Sequence, residues 1–379
     1  MSYLRLPPLV LAAALAAALA AVAGGCASGD KKPTEKELAQ KRWAAARANV
    51  VVTLAKDQYK NGQFDKARTS ADEALRLAPE NPEAHLVSAR LYVEQGQLEA
   101  AERELATVRQ LAPNNGEAYY MSGVVMQRWQ KHEQAYENYK AAAEKSPAEI
   151  AYVMAEAEAL VTLDRAPDAL ALLQSKADYF EHSGTIRDAV GQLLMQQGKH
   201  AEAARAFRQA SILAEDDLGV RERLGLALQR CKEYREAADV LSKLLQNDAF
   251  AKRPDLFAAL GECQLAAGQV REARFSYETA TTLDPYSPTA WRGLGRAALE
   301  AGDLRRAELA LARSLKYEPN AGEAHLLMGY LKVRQERFDD ARRSFESAAA
   351  LDPRDTVALC MIGYTHEKQG RRDQAARFY

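Results

Sequence analysis

The sequence predicts an all-α chain, built as a solenoid of stacked helix–turn–helix pairs. Three observations predict it. Prolines recur at a fixed step: Pro79, Pro113 and Pro147 stand 34 residues apart, and so do Pro285, Pro319 and Pro353. Two columns of small side chains run through the chain without exception. One holds Ala67, Ala101, Ala135, Ala169, Ala203, Ala237, Ala273, Ala307, Ala341 and Ala375; the other, twelve residues earlier, holds Ala55, Ala89, Gly123, Ala157, Gly191, Gly225, Gly261, Gly295, Gly329 and Gly363. Within each period apolar residues return every three or four positions, as in LGLALQRCKEYREAADVLSKLL at 224–245, which is helical spacing. A period of this size points to a repeat architecture before any local assignment is made.

Bulk composition agrees. Of 379 residues, 47% are hydrophobic and 27% charged, enough apolar surface for a core and too much for wholesale disorder. Lys and Arg total 51 against 52 Asp and Glu, so there is no electrostatic ground to expect nucleic acid as a partner.

Residues 1–25 read as an export signal. Arg5 supplies the positive start, and 9–23 is an uncharged apolar run, shorter than the roughly 20 residues that a spanning helix needs. Two processing routes are open. Ala21-Val22-Ala23 is a cleavage site that would release a soluble exported protein. VAGGC at 22–26 resembles a bacterial lipobox, with Cys26 as the lipid-bearing first residue, although Ala23 stands where that box usually has Leu. The lipoprotein is the leading reading, because a cysteine sits directly behind the apolar run. Two or more acyl tails anchor a protein stably. Ala27, in place of Asp, implies by the same resemblance the outer membrane, facing the periplasm. The remaining cysteines, Cys231, Cys263 and Cys360, read as small buried core residues, with a Cys231–Cys263 bridge left open.

A polar tether at 26–33 leads to the solenoid at 34–379. Thr34 and Glu37 form a capping box for a long first helix starting near Glu35, and Trp43 is expected to cover the open N-terminal face. Counted from Ala48, nine full 34-residue units follow, and a tenth is cut short at Tyr379. Gly62, Gly96, Gly198, Gly268, Gly302 and Gly370 suit the left-handed end of each first helix. The proline near the end of the unit stops the second helix. Small side chains on both helices let the backbones approach, and a large residue one turn after the alanine, such as Tyr139, Phe207, Tyr277 or Phe345, fills the space beside them; Ala71 breaks that column. From Pro147 to Pro285 is 138 residues, two more than four periods, and the extra pair fits best near Lys252 and Arg253, where a change of pitch is expected. Solenoids need a polar outer cap. The segment AARFY at 375–379 supplies none, so the chain is expected to continue beyond 379, and this end offers a route to self-association.

The pattern of small residue, glycine, alanine, aromatic and proline resembles the tetratricopeptide repeat (TPR) family over 48–379. The resemblance implies a right-handed superhelix whose concave wall, lined by the first helix of each unit, is a peptide groove. On that wall it places Arg90, Tyr120, Arg128, Arg292, Arg296, Tyr330, Arg334 and Tyr364, beside Lys56 and Glu262. An Arg- and Tyr-rich groove suits an extended peptide or an acidic segment. Some members clamp a terminal carboxylate with groove asparagines. Here the ninth positions of the first three units are Lys56, Arg90 and Val124, which argues against a receptor of that kind.

No catalytic constellation is legible. HEQAY at 132–136 lacks the second histidine of a zinc motif, because Tyr136 stands in its place. GLGRAA at 293–298 imitates a dinucleotide fingerprint inside a predicted helix. His85 and His325 fall in a packing column, and His132 and His200 at a turn. Neither cofactor nor metal is expected. The resulting reading is a non-catalytic protein–protein interaction scaffold of the bacterial envelope, in assembly, secretion or pilus biogenesis by analogy of architecture. The alternative is the substrate-recruiting arm of an enzyme whose catalytic domain lies beyond 379. If Cys26 carries lipid, Cys26→Ser should move the protein from the membrane to the soluble fraction; unchanged fractionation would sink the anchor.

Overall fold

The computed structural model describes residues 34–379; the leader at 1–25, Cys26 and the tether at 26–33 lie outside the described residues. Among the described residues every regular element is an α-helix. They fall into two compact units, divided after Lys145. The first unit holds three antiparallel pairs: α1 (Glu35–Lys60) with α2 (Phe64–Leu77), α3 (Pro82–Glu94) with α4 (Leu98–Leu111), and α5 (Gly116–Arg128) with α6 (His132–Lys145). The second unit begins with α7 (Ile150–Thr162) and α8 (Ala166–Ala177), then α9 (Gly184–Gln196) and α10 (His200–Leu213), then α11 (Leu218–Arg230) and α12 (Tyr234–Leu244). It continues through α13 (Pro254–Ala266) and α14 (Val270–Leu283), α15 (Pro288–Glu300) and α16 (Leu304–Tyr317), α17 (Gly322–Arg334) and α18 (Phe338–Leu351), and closes with α19 (Thr356–Lys368) and the short α20 (Arg372–Ala375). Within each unit the second helix of a pair also packs on the first helix of the next.

The first helix starts where the capping residues direct it. The Thr34 amide donates to Glu37 Oε2 at 2.7 Å, and the Glu37 amide donates back to Thr34 Oγ1 at 3.4 Å. Trp43 is 64% exposed, with the Arg47 guanidinium 5.8 Å from its ring, so it is a surface side chain and not a buried cover. The corner between paired helices is left-handed, at Gly62 and Gly96 (both φ +72°) for example. In four corners the glycine is replaced by Gln130, Asp164, Lys232 or Glu336, and the backbone still takes φ between 57° and 66°. Each such residue costs about 1–2 kcal/mol relative to a right-handed conformation.

The seam between paired helices is buried and tight. All ten alanines of the column are buried, none more than 4% exposed. Opposite them, a Cβ added at Gly191 would stand 2.6 Å from Phe207 Cε1, and one at Gly225 would stand 2.7 Å from Leu241 Cδ2. Phe207 and Leu241 are themselves at most 1% exposed, so they have nowhere to withdraw. In the first pair, where Ala71 replaces the large residue, Ala55 and Ala71 are both buried in one small-residue contact.

The two surplus residues are absorbed where the proline spacing placed them. Helix α12 runs 11 residues, against 14 for α4 and α14, and the connection at 245–253 is correspondingly long. The cysteines divide. Cys263 is buried and Cys231 half-buried, but Cys360 is exposed, which corrects the expectation that all three are core. Along α19, Ala358 and Ile362 mark the buried stripe, and Cys360, two positions from each, lies on the opposite face. All three are free, so the Cys231–Cys263 bridge is not formed.

Gly191→Ala should destabilise the protein by about 1–3 kcal/mol through overpacking against Phe207. Gly322→Ala, with open space where its Cβ would be, should stay within about 0.5 kcal/mol of wild type. Urea unfolding followed by circular dichroism separates the two, and equal effects would contradict this account of the seam.

Candidate functional site

The face built by the first helices is where side chains vary from unit to unit, and it is knitted by charge. A cation at the ninth position of one unit reaches a glutamate at the second residue of the next first helix. Lys56 pairs with Glu83, and Arg90 with Glu117; in the second unit Arg296 reaches Glu323 at 3.9 Å. Each acceptor is 27 residues beyond its donor. A carboxylate in a helix's first turn is also favoured by the helix dipole, so each tie satisfies two partners. A second tie runs the other way. Arg128 Nη1 donates to the Val93 carbonyl at 2.7 Å, and Arg334 Nη1 to the Leu299 carbonyl at 2.6 Å, each serving the C-terminal turn of the preceding first helix.

The expected groove residues lie on first helices, and each already has company within the chain. In the first unit, the Arg90 guanidinium also lies 5.8 Å from the Tyr59 ring, and Tyr120 packs on Tyr139 with centroids 5.6 Å apart. In the second unit Arg292 and Arg296 converge on Glu323, and Arg292 also meets Glu318 at 3.2 Å. Tyr330 is half-buried, edge-on to Phe345 at 5.5 Å, and burial followed by the Asp355 charge raises its phenol pKa. Tyr364 lies under the Lys368 ammonium at 5.3 Å. The 27-residue alternation of base and acid was present in the sequence and is the signal that locates these ties.

Elsewhere the ninth position is not a cation, as at Val124, Gln192 and Leu226, and at α13 it is an acid. Its ninth position is Glu262, and 27 residues on stands Thr289. Glu262 instead accepts from Gln229 Nε2 at 2.7 Å. Between α13 and α15 opens a cleft of about 340 Å³, whose lining includes Asp255, Glu262, Asp284 and the ring of Tyr277.

The histidines have structural work. His325 Nε2 lies 2.9 Å from the Pro319 carbonyl and His85 Nε2 lies 2.8 Å from that of Pro79; Trp291 Nε1 donates to the Pro285 carbonyl at 2.8 Å from the same column. This column ties a first helix to the proline loop six residues back. His132 opens α6 and His200 opens α10, and GLGRAA at 293–298 lies wholly inside α15. Among the described residues no group of three or more His, Cys, Asp or Glu side chains is placed to hold a metal ion, and no helix is long and apolar enough to cross a membrane.

Two family models match the repeats. The family model described as a tetratricopeptide repeat matches residues 58–122, and the model described as the cilia and flagella-associated protein 70 C-terminal domain matches residues 214–379. No curated protein matches the chain. Among solved structures, YrrB, described as a TPR protein with an unusual peptide-binding site, is 20% identical; the match covers 49% of this chain and 95% of that one, with a TM-score of 0.42. A thermophilic TPR protein of Thermus thermophilus is 24% identical, covering 48% and 98%, with a TM-score of 0.38. MamA of Desulfovibrio magneticus RS-1 is 18% identical, covering 45% and 94%, with a TM-score of 0.41.

His85 gives a pH-dependent prediction. Its hydrogen bond to Glu104 Oε2, at 2.5 Å from Nδ1, is the main cause that raises the imidazole pKa. A raised folded pKa adds stability below the unfolded value, about 6.5, and that stability is lost as pH rises through the folded value. Glu104→Gln should therefore destabilise the protein more at about pH 5.5 than at about pH 8.5 in thermal unfolding. An equal loss at both would refute the coupling.

Proposed function

We propose that this chain, which belongs to the tetratricopeptide-repeat proteins, is a protein-interaction scaffold of the bacterial cell envelope that binds a partner along the face of its first helices. One observation carries the reading. Core packing is met by the two columns of small residues, the large residues that cover them and an apolar stripe of the first helices, such as Leu86, Leu224 and Leu294, so the outward positions that carry Arg90, Arg292 and Arg296 are released from core duty. What they present is the mixture of Arg, Tyr and carboxylate that recognition surfaces use. Such repeats generally serve as non-catalytic platforms, and neither family model names an enzyme. The apolar run at 9–23 followed by Cys26 supports export and a lipid anchor, with the array held at the outer membrane and facing the periplasm. The partner would be a protein or an extended peptide, in assembly, secretion or pilus biogenesis.

The ties on this face bear on how a partner engages it. Arg90, Arg292 and Arg296 are held by Glu117, Glu318 and Glu323, and so are partly ordered before any encounter. A partner would add contacts to a fixed guanidinium instead of immobilising a free one, which reduces the entropy cost of binding. Crosslinking with the full-length protein in membranes should capture a discrete partner. The double variant Arg296→Ala with Tyr330→Ala should weaken that capture about tenfold or more, equal to about 1.4 kcal/mol, at unchanged helicity. Equal capture by the double variant would remove this pair from the binding face.

A further inference from the structure

The cleft between α13 and α15 differs from the rest of the first-helix face in charge and in its floor. The charges can be matched off. Arg253 is engaged by Asp255 and Glu222, at 2.6 and 3.0 Å, and Arg296 by Glu300 and Glu323, at 3.5 and 3.9 Å. Glu262 and Asp284 are left over. Glu262 accepts from a neutral amide, Gln229, and Asp284 Oδ1 accepts from the Tyr286 backbone amide at 3.0 Å. Neither has a cationic partner among the described residues.

The floor is a tyrosine without a hydrogen bond. Tyr277 projects from α14, and its ring passes between Gly261 of α13 and Gly293 of α15. A Cβ added at Gly261 would stand 2.9 Å from the ring, and one at Gly293 would stand closer still. Gly293 lies outside both small-residue columns, so the second gap is particular to this pair of helices. The residue is 5% exposed, its ring lines the cleft, and its hydroxyl makes no hydrogen bond to any described residue. Its counterparts in other units do. Tyr139 donates to Gln127 Oε1 at 2.7 Å, and Tyr379 to Glu367 Oε2 at 3.0 Å, each twelve residues back. Twelve back from Tyr277 stands Leu265, which has nothing to offer. Burial, then the Glu262 charge, raise the phenol pKa, so the group stays protonated. This hydroxyl, without its usual partner and beside unmatched carboxylates, opens on the cleft, where a polar group from outside can reach it.

We propose that this cleft receives a cationic side chain, lysine or arginine, carried on an extended segment of a protein partner. Glu262 and Asp284 would supply the charge, and the Tyr277 oxygen would accept one of the cation's N–H bonds. An ammonium or guanidinium has donors only, which fits a site of two carboxylates and a phenol oxygen. The inference rests on the scaffold reading and adds to it a sign: at this cleft the partner brings positive charge, whereas an Arg- and Tyr-lined groove alone suggests the opposite.

The test uses the full chain and a labelled hexa-arginine peptide, with hexa-glutamate as the opposite probe. Hexa-arginine should bind and hexa-glutamate should not. Glu262→Gln, at an exposed position where folding is not at stake, should weaken hexa-arginine binding about tenfold, equal to about 1.4 kcal/mol. Tyr277→Phe keeps the ring and the net charge. It should weaken binding to a similar degree while leaving thermal stability unchanged or raised, which separates a binding role from a packing role. Absent binding by wild type, equal binding by both variants, or preference for hexa-glutamate would each overturn the proposal. Crosslinking then separates the two readings. If a partner is captured equally by wild type and both variants, the cleft falls and the scaffold stands. If no partner is captured but the peptide losses appear, the cleft stands and the scaffold falls.

Discussion

Contact between a small residue on one helix and a large one on its neighbour is the constraint from which the rest follows. A glycine such as Gly191 removes the one atom that would keep Phe207 away, and Ala203 one turn before it lets the backbones close. Interiors are packed to crystal-like density, so a seam of this kind tolerates little variation. The consequence is a division of labour within each repeat. Two columns and their covering residues set the geometry of the pair, and the outward positions are left to chemistry.

That division explains what could be read in advance. The pairs, their corners, the long first helix and the site of the two-residue insertion were legible because each rests on a local rule. A left-handed corner prefers glycine, a proline cannot continue a helix, and Thr34 with Glu37 makes a recognisable cap. Where the local rule is bypassed, the geometry persists and the signal does not: Gln130, Asp164, Lys232 and Glu336 occupy the same left-handed corner without being glycine. The face was less legible. The resemblance placed Arg90, Arg292 and Arg296 on the wall, but their partners Glu117 and Glu323 lie in the next repeat, and one repeat read alone cannot show them. Cys360 and Trp43 were misjudged for a simpler reason. Residue type suggests burial, whereas the angle around the helix decides it.

Two kinds of contact therefore coexist on different terms. The apolar seams are non-directional and indifferent to the identity of a partner. The charged ties are directional: one joins side chains 27 residues apart, as Arg296 with Glu323, and the other joins a guanidinium to a backbone carbonyl 35 residues back, as Arg334 with Leu299. Where the ninth position is Glu262 instead of a cation, a carboxylate is left unmatched and the adjacent cleft takes on a charge of its own.

The ties from one repeat to the next have a mechanical consequence. Ion pairs at half-exposed positions, such as Lys56 with Glu83, are screened by dissolved salt over a length of about 8 Å at physiological ionic strength. The glycine seams are not screened at all. The joints between hairpins within a unit carry both kinds of contact, as where Tyr277 and Leu294 share one buried cluster, so only the charged share of their stiffness falls as ionic strength rises.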